Sequence, residues 1–366
     1  MTSVNLEQII KNTIIQKAEP IGFDEFMNLA LYYPTKGYYS GGRQKFGEQG
    51  DFITAPETSD LFGFCLARQC AQVLDGEDDV LEFGAGSGIL AAQILFELGR
   101  LGKLPKTYYI LELSAELQQR QKDTLNKTLP ELMDRVVWLN TLPEHFSGVA
   151  IANEVLDAMP AKRLIYKAEG FKELGVDCQN DALVWQEKYP YSNDKMHLPV
   201  KIKQGYITEV NERTMAWIES LSEIMDKGLV LLIDYGMGRD EYFHPQRDAG
   251  TLRCYYQHKA SENPFEHIGE QDITTSVNFS DIANQALRSG FAVTGYATQA
   301  MFLISLGIDS YLLVEKDEKK RANLAQQVKQ LVLPSAMGES FKVLALTKDI
   351  QVKLQGFKEQ DLSHKL

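Results

Sequence analysis

The chain has 366 residues, of which 44% are hydrophobic and 24% are charged, and its formal net charge at pH 7 is −12. This surplus of acidic side chains argues against a nucleic-acid partner, because binding phosphates requires an excess of lysine and arginine. The clean aliphatic run at residues 229–233 is too short to span a bilayer, so we expect no membrane insertion.

The first 75 residues combine a regular helix with an irregular segment. Apolar residues at helical spacing predict an amphipathic helix over residues 5–19, and Asn5 with Gln8 resembles a capping box at its start. The stretch rich in glycine that follows predicts an irregular segment, and after it a helix over residues 57–74. Neither a secretion signal nor an arginine-rich presequence is recognisable, so we expect a bacterial cytoplasmic location and favour the mitochondrial matrix less.

Beyond residue 75, strand-like and helix-like patterns alternate. Short apolar runs predict buried strands at residues 80–83, 107–113, 135–139, 149–153 and 229–234. Helical patterns separate the first of these runs, at residues 89–101 and 115–128. The alternation predicts an α/β fold with a parallel, doubly wound sheet.

Two later regions complete the predicted fold. Residues 161–228 interrupt the alternation with strand-like runs and a helix near residues 212–226, which indicates an inserted α+β subdomain. A helix is predicted over residues 280–290, with Ser280 as its N-cap and Gly290 just after its end. The sequence "FKVLALTK" predicts the last strand.

Cysteine and histidine spacing argues against a metal centre. The four cysteines form neither a C-x-x-C pair nor a zinc pattern, and the six histidines show no H-E-x-x-H spacing. We therefore expect buried, reduced thiols and no metal.

The stretch "VLEFGAGSGIL" carries the strongest ligand signal in the chain. Its strand includes the acid Glu82 and leads into Gly84, Gly86 and Gly88, and a helix pattern follows at once. Glycine permits a sharp turn and a close approach of ligand to bare backbone, at the positive end of a helix dipole. A dinucleotide fingerprint would place its third glycine where Ile89 stands. The acid-x-G-x-G-x-G pattern is instead typical of S-adenosyl-L-methionine (SAM) sites, with a nicotinamide cofactor as the weaker alternative.

The second predicted strand supports the same cofactor. It ends near Glu112, where a carboxylate can accept hydrogen bonds from both ribose hydroxyls. Ala85 in the glycine turn and Leu113 after the acid complete the predicted cofactor-binding set. Phosphate-binding and hydrolase motifs fail, because Leu104 follows Lys103 where a P-loop needs Ser or Thr, and Ser87 lacks a G-x-S-x-G frame.

Polar residues crowd the end of the fourth predicted strand in "VAIANEVLDAMP". Asn153, Glu154 and Asp157 stand where the carboxyl end of a strand would face a substrate in this architecture. The alternative is a capped turn, in which Asn153 and Asp157 bond backbone N–H groups.

Five motifs in one order resemble the MidA family of SAM-dependent methyltransferases: "GDFITAPETSDLFG", "EFGAGSG", "NEVLDAMP", "IDYG" and "GTLRCYYQH…GEQDITTSVNFS". The resemblance covers about residues 20–310 and implies a class I, Rossmann-like methyltransferase fold. For the mitochondrial members it also implies methylation of an arginine in a core subunit of respiratory complex I. A protein substrate, with a complex I subunit as a candidate, is thus the implied partner. Val155 and Leu156 stand where relatives typically carry aromatic residues.

Methyl transfer to a guanidinium would give the polar residues distinct roles. Glu154 is the first candidate for clamping the planar guanidinium and Asp157 the second, with Asn153 orienting it. A scaffold protein that binds SAM and a client without catalysis is the alternative of another class, and a nicotinamide-dependent oxidoreductase is a third.

The remaining predicted positions lie in loops. Candidate substrate-side residues are Asp51, Thr54, Glu57, Tyr235, Arg253 and His258. We accordingly divide the chain into a helical segment that covers the cofactor (1–75), a SAM-binding core (76–160 and 229–350) and a substrate-side insertion (161–228).

Overall fold

The structure, a computed structural model, describes residues 5–41, 54–192 and 202–366. The helices of this part of the chain are, in order, α1 (Leu6–Lys17), α2 (Phe23–Tyr32), α3 (Ala55–Thr58), α4 (Asp60–Cys70), α5 (Ile89–Arg100), α6 (Ala115–Thr128), α7 (Glu212–Ile224), α8 (Arg239–Tyr242), α9 (Phe279–Arg288), α10 (Gln299–Ser305), α11 (Ser310–Val314) and α12 (Glu318–Val332). Within these described ranges, every helix is too short or too polar to cross a membrane.

The strands of the described residues are, in order, β1 (Asp79–Phe83), β2 (Tyr108–Leu111), β3 (Val136–Leu139), β4 (Phe146–Asn153), β5 (Lys162–Lys167), β6 (Gly170–Gln179), β7 (Ala182–Pro190), β8 (Ile207–Val210), β9 (Met225–Met237), β10 (Arg253–Tyr256), β11 (Lys259–Ser261), β12 (Asp272–Thr274), β13 (Val277–Asn278), β14 (Ala292–Thr298) and β15 (Phe341–Lys348). The α/β class predicted from the alternating pattern is confirmed.

The chain forms two compact units, each built from three segments. The large unit contains Ile53–Leu156, Trp217–Met237 and Val277–Leu366, and the small unit contains Met1–Phe52, Asp157–Ala216 and Gly238–Ser276. Helix α4, which the sequence placed with the N-terminal segment, belongs to the large unit because it packs closely on α5: a Cβ atom at Gly63 would lie 2.4 Å from Cβ of Gln93. The functional roles expected for the three sequence-based divisions stay predictions.

The large unit is built on one mixed sheet. Its main strand order is β14-β15-β9-β4-β1-β2-β3, and β13 also pairs with β9. Strands β9, β4, β1, β2 and β3 are parallel, as the sequence predicted, but β15 is antiparallel to both β9 and β14. The parallel arrangement expected for the five predicted strands is therefore confirmed, and the antiparallel strands lie at one side of the sheet, where the sequence pattern indicated no direction. Strand β14 escaped prediction because Gly295 and a register shift between Val293 and Gly295 interrupt its pattern.

Helix ends test the local sequence rules. The Asn5 side chain accepts a hydrogen bond of 2.8 Å from the Gln8 backbone N–H and confirms the predicted cap of α1. At α9 the prediction was wrong by two residues, since Asn278 takes the N-cap position and Ser280 is buried inside the helix. Gly290 follows the end of that helix in a left-handed conformation, with φ of +91°, as expected.

Each unit has its own apolar core. The large unit packs α4, α5 and α10 against the sheet through residues such as Phe62, Ile94 and Phe302. The small unit contains an antiparallel sheet in the order β7-β6-β5-β8 and a second sheet in the order β11-β10-β12. Its core includes Phe23 and Phe26 of α2, which pack with Trp185 and Phe265.

All four cysteines are free thiols. Cys65, Cys70 and Cys254 are buried, and burial raises the pKa of each to about 12. Cys178 is only half-buried, so the expectation of buried thiols is confirmed for three of the four.

Strands β1, β4 and β9 lie so close together near their starts that two positions have no room for a side chain. Gly148 of β4 pairs with Asp79 of β1 and with Gly228 of β9. A Cβ atom at Gly148 would lie 1.9 Å from the Asp79 carbonyl oxygen, and the φ angle of Gly148 is +135°. The starts of these strands can approach only because both positions are glycine.

We predict that Gly148→Ala lowers the free energy of unfolding by about 2–5 kcal/mol, because steric overlap adds to the strained φ angle. The control is Gly290→Ala, which has a positive φ and no heavy atom within 4 Å of an added Cβ. It should cost only about 1–2 kcal/mol. Urea unfolding measures both, and equal losses would contradict the proposed overlap.

Candidate functional site

The glycine turn between β1 and α5 has the backbone that its sequence predicts. Gly84, Gly86 and Gly88 have φ angles of +60°, +53° and +83°, all in the left-handed region that favours glycine. The Gly84 N–H donates to the Leu111 carbonyl of β2 at 3.0 Å, which ties the turn to the sheet. Gly84 is exposed, and α5 begins without a side-chain cap from any described residue. Bare backbone and helix N–H groups are thus available to a ligand.

One buried side chain, Gln121 of α6, connects three parts of this site. Its Nε2 donates to the Gly86 carbonyl at 3.2 Å and to Oε2 of Glu112 at 3.1 Å, and its Oε1 accepts from Nε1 of Trp138 at 3.0 Å. The side chain is fully buried, and a Cβ at Gly88 would lie only 3.0 Å from its Cα. Gln121 therefore fixes the position of the turn relative to Glu112.

Gln121 is not among the predicted site residues, although its place in α6 carries a signal. Leu117, Gln121 and Leu125 follow one another at a spacing of four residues along the buried face of α6. A polar residue in the middle of an apolar stripe must find hydrogen-bond partners when it is buried. Here those partners are the cofactor-binding residues that the sequence did identify.

The carboxylate of Glu112 is held by both of its oxygens. Oε1 accepts from the Ser114 N–H at 2.9 Å and Oε2 accepts from Gln121, while the Glu112 carbonyl accepts from Nε2 of Gln118 at 2.7 Å. The residue is 7% exposed, whereas the neighbouring Leu113 is 74% exposed. A fixed acceptor therefore stands beside an accessible apolar side chain.

Glu82 lies within the sheet rather than at its surface. It is 2% exposed, and the Tyr108 hydroxyl donates to its Oε2 at 2.7 Å. Burial raises the pKa of Glu82 to about 7, and the nearby charge of Glu112 also raises it.

Glu57 contacts the glycine turn through a single short hydrogen bond. The Ser87 hydroxyl donates to Oε1 of Glu57 at 2.6 Å, and the Ser87 carbonyl accepts from Oγ1 of Thr124 at 2.7 Å. The structure thus places Glu57, predicted to be a substrate-side residue, against the turn.

The chain bends where it leaves β4, and Asp234 stabilises this bend. Glu154 has a φ angle of +55°, which is costly for a residue with a Cβ atom. The next two N–H groups, of Val155 and Leu156, donate to Oδ2 of Asp234 at 3.2 and 2.8 Å, and the Tyr235 N–H donates to Oδ1 at 2.7 Å. Asp234 is fully buried at the end of the apolar run of β9.

Asp234 belongs to the "IDYG" motif but is not among the predicted site residues, which include its neighbour Tyr235. The available signal was an acid at the end of a buried strand, the same feature that singled out Glu82 on β1. Tyr235 itself is half-buried and packs edge-on against Phe341, with ring centroids 6.3 Å apart.

Asn153 and Glu154 contact each other at the end of β4. Nδ2 of Asn153 donates to Oε1 of Glu154 at 3.2 Å. Oδ1 of Asn153 is buried and has no hydrogen-bond partner among the described residues. A buried acceptor without a partner is costly unless a ligand satisfies it.

The other predicted positions are distributed between the units. Asp157 lies in the small unit, where its carbonyl accepts from the Thr275 N–H at 3.0 Å and burial raises the pKa of its carboxyl group to about 7. Arg253, in the same unit, forms an exposed ion pair with Glu262 at 2.8 Å. His258 is exposed at the turn between β10 and β11, with a φ of +61°.

Thr54 and Asp51 are the last two of the predicted substrate-side positions. Thr54 takes the N-cap position of α3 in the large unit. Asp51 lies outside the described residues. Within the described ranges, no group of three or more His, Cys, Asp or Glu side chains is arranged to hold a metal ion.

Comparisons with known proteins agree on one kind of enzyme. A family model described as "Putative S-adenosyl-L-methionine-dependent methyltransferase" matches residues 65–297. The rat mitochondrial protein arginine methyltransferase NDUFAF7 is 28% identical over 377 residues, which cover 91% of this chain and 82% of the relative. The human protein of that name is 28% identical over 392 residues, covering 94% and 84%.

A solved structure is more similar still. It is described as a "likely methyl transferase from Burkholderia thailandensis bound to S-adenosyl-homocysteine". The two chains are 40% identical with a TM-score of 0.95, and the match covers 99% of this chain and 96% of the other.

We predict that the parent protein loses stability as pH rises, because folded Glu82 keeps its proton longer than the unfolded chain does. The pKa of Glu82 lies near 7 in the fold against an ordinary value of 4.5, so stability falls between pH 4.5 and 7. The contribution is up to about 3 kcal/mol.

Denaturant unfolding of the ligand-free protein from pH 5 to 7.5 tests this prediction. Glu82→Gln should reduce the decline and leave the part that Asp157 contributes, because burial also raises the pKa of Asp157 to about 7. Glu77→Gln, at an exposed acid of the same unit, should leave the decline unchanged. A decline of equal size in all three proteins would assign the effect to other groups.

Proposed function

The chain belongs to the family of S-adenosyl-L-methionine-dependent methyltransferases, and on this premise we propose that it methylates arginine side chains of a protein. The resemblance to MidA-like methyltransferases, the class I methyltransferase fold and SAM as cofactor, all predicted from the sequence, are confirmed by the family match and the solved relative. The nicotinamide alternative is therefore set aside. The arginine target, the site roles and the identity of the partner are proposals.

The glycine turn and Glu112 are the proposed cofactor-binding elements. The exposed backbone at Gly84 suits a ligand in close contact, since an added Cβ there would meet only a Val155 methyl group, at 3.4 Å. We propose that Gly84, Ala85, Gly86 and Gly88 bind the amino-acid end through backbone groups. By the same proposal Glu112, held in place through both carboxylate oxygens, accepts hydrogen bonds from the ribose hydroxyls.

The proposed roles of two further residues differ. Exposed Leu113 would cover one face of the adenine ring. Glu82, being buried and bonded to Tyr108, would act on the cofactor through the shape of the turn.

The substrate assignment rests on Oδ1 of Asn153, which lies beside Glu154 and has no hydrogen-bond partner among the described residues. A guanidinium group has five N–H donors and no acceptor, so it is complementary to an amide oxygen next to a carboxylate. Glu154 is the proposed clamp and Asn153 the proposed orienting group. Asp157 stays the second candidate for the clamp.

The chemistry needs positioning, charge stabilisation and a proton acceptor from these residues. Bound SAM supplies an electrophilic methyl group. In-line transfer to a guanidinium nitrogen would form the nitrogen–carbon bond as the carbon–sulfur bond breaks, and it would release one proton from that nitrogen. Holding the nitrogen in line is worth up to about 7–11 kcal/mol, and the Glu154 carboxylate stabilises the positive charge on the substrate and is the proposed proton acceptor.

The protein target is supported by the arginine methyltransferases that resemble this chain along most of its length. A subunit of respiratory complex I is the candidate partner that the family resemblance suggests, and a bacterial cytoplasmic location stays a prediction. Incubation of the purified protein with methyl-labelled SAM and a cell lysate, followed by mass spectrometry of the labelled band, tests the target. Label on another residue type or on a small molecule would exclude arginine, and no label at all would favour a scaffold.

We predict that Glu112→Ala weakens SAM binding by about 1.5–3 kcal/mol, the usual worth of hydrogen bonds to a charged group. Isothermal titration calorimetry measures the affinity. The control is Glu116→Ala, which removes an exposed carboxylate in the first turn of α6. Unchanged affinity in the Glu112 variant would place the ribose contact elsewhere.

We predict that Glu154→Gln lowers methyl transfer by about 10²-fold or more, the range seen when one stabilising group is removed from an active site. SAM affinity and melting temperature should stay near those of the parent, because the substitution keeps the size of the side chain. Glu144→Gln, at an exposed acid before β4, is the matched control. Full activity would exclude Glu154 from the reaction, and loss of folding would favour the capped-turn interpretation.

A further inference from the structure

We propose that Glu57 binds the ammonium group at the amino-acid end of the cofactor and that Ser87 orients its carboxylate for this contact. The inference deepens the proposed function and rests on its assignment of the glycine turn to that end of SAM. Glu57 was predicted as a substrate-side residue within the segment that covers the cofactor, and the inference gives it a direct contact with the cofactor.

The position of Glu57 carries the argument. Ser87 lies between Gly86 and Gly88, and its hydroxyl donates to Oε1 of Glu57 at 2.6 Å. Ser87 is 7% exposed, whereas Glu57 is half-buried. Oε2 of Glu57 has no hydrogen-bond partner among the described residues. One oxygen is therefore fixed beside the turn and the other can accept a donor.

The short helix that carries Glu57 is anchored to the cofactor-binding helix. Nε2 of the buried Gln93 on α5 donates to the Pro56 carbonyl at 2.9 Å and to Oδ1 of Asp60 at 3.0 Å. The Ser59 hydroxyl donates to Oε1 of Gln327 at 2.9 Å. These bonds on both sides of Glu57 fix its backbone relative to the first turns of α5.

Charge balance then favours a cationic group at Glu57. The amino-acid end of SAM carries a carboxylate, which suits the N–H groups of the turn, and an ammonium, which needs acceptors. Glu82 cannot serve, because it is buried and already accepts from Tyr108. Glu112 is assigned to the ribose. Among the described residues, Glu57 is the remaining carboxylate that bonds directly to the turn.

Comparing the binding of two ligands distinguishes the contribution of this contact from that of the rest of the site. S-adenosylhomocysteine contains the ammonium group, whereas 5′-methylthioadenosine has the adenosine and the sulfur but lacks the amino acid. In calorimetry, Glu57→Gln should weaken S-adenosylhomocysteine binding by about ten- to a hundredfold, as expected for a lost hydrogen bond to a charged group. Methylthioadenosine should bind the variant and the parent within about twofold. Glu77→Gln, at an exposed acid of the same unit that lies outside the proposed site, should change neither affinity.

Each other outcome has a definite meaning. Equal weakening of both ligands by Glu57→Gln, or no weakening of either, would overturn the role of Glu57 and leave the glycine-turn assignment intact. A parent protein that binds neither ligand would overturn the proposed cofactor site and this inference with it. If Glu57→Gln fails to fold, Ser87→Ala gives the same test, with a smaller selective loss of S-adenosylhomocysteine expected.

Discussion

The buried carboxylate of Asp234 stabilises the bend after β4, on which the proposed reaction centre depends. A charge inside a protein is tolerated only when hydrogen bonds replace its water, and three backbone N–H groups do so here. Two of the three belong to Val155 and Leu156, directly after Glu154. These bonds offset the left-handed conformation of Glu154, which costs roughly 1–2 kcal/mol. Asp234 of β9 thus fixes the position of Glu154, which directly follows β4.

A similar arrangement recurs at the other end of the site, where Gln121 joins the glycine turn, Glu112 and Trp138. In both places a buried polar side chain from one element fixes the backbone or carboxylate of another. The residues proposed to meet the ligands are therefore only part of the site. The residues that hold them are less exposed. Asp234 lies in the quoted "IDYG" motif, whereas Gln121 lies in none of the quoted motifs.

Much of the large unit follows from local patterns. Strand β15 and helix α6 have the bounds that the apolar periodicity predicted, because each has a continuous pattern bounded by residues that end it. The direction of β15 could not be predicted, since an apolar run looks the same in a parallel and an antiparallel strand. Strand β14 was missed because Gly295 and a register shift obscure its pattern.

The residues of the site also differ in how far local sequence patterns predict them. The glycine turn and Glu112 were predictable because conformation and chemistry restrict those positions to a few residue types. The hydrogen-bond partners of Asp234, Gln121 and Glu57 lie far from these residues in the chain. A single sequence does not reveal such pairs, even where it marks one of the two residues. The roles of the predicted residues stay predictions.

The bonds of Gln121 have a consequence for the entropy of cofactor binding. A flexible carboxylate that must be ordered by its ligand loses about 0.5–1.5 kcal/mol of rotamer freedom on association. In this chain Glu112 has both oxygens bonded before any ligand arrives, and Gln121 is fully buried. That loss of freedom is therefore incurred when the protein folds, and the ribose meets a carboxylate that is already in place.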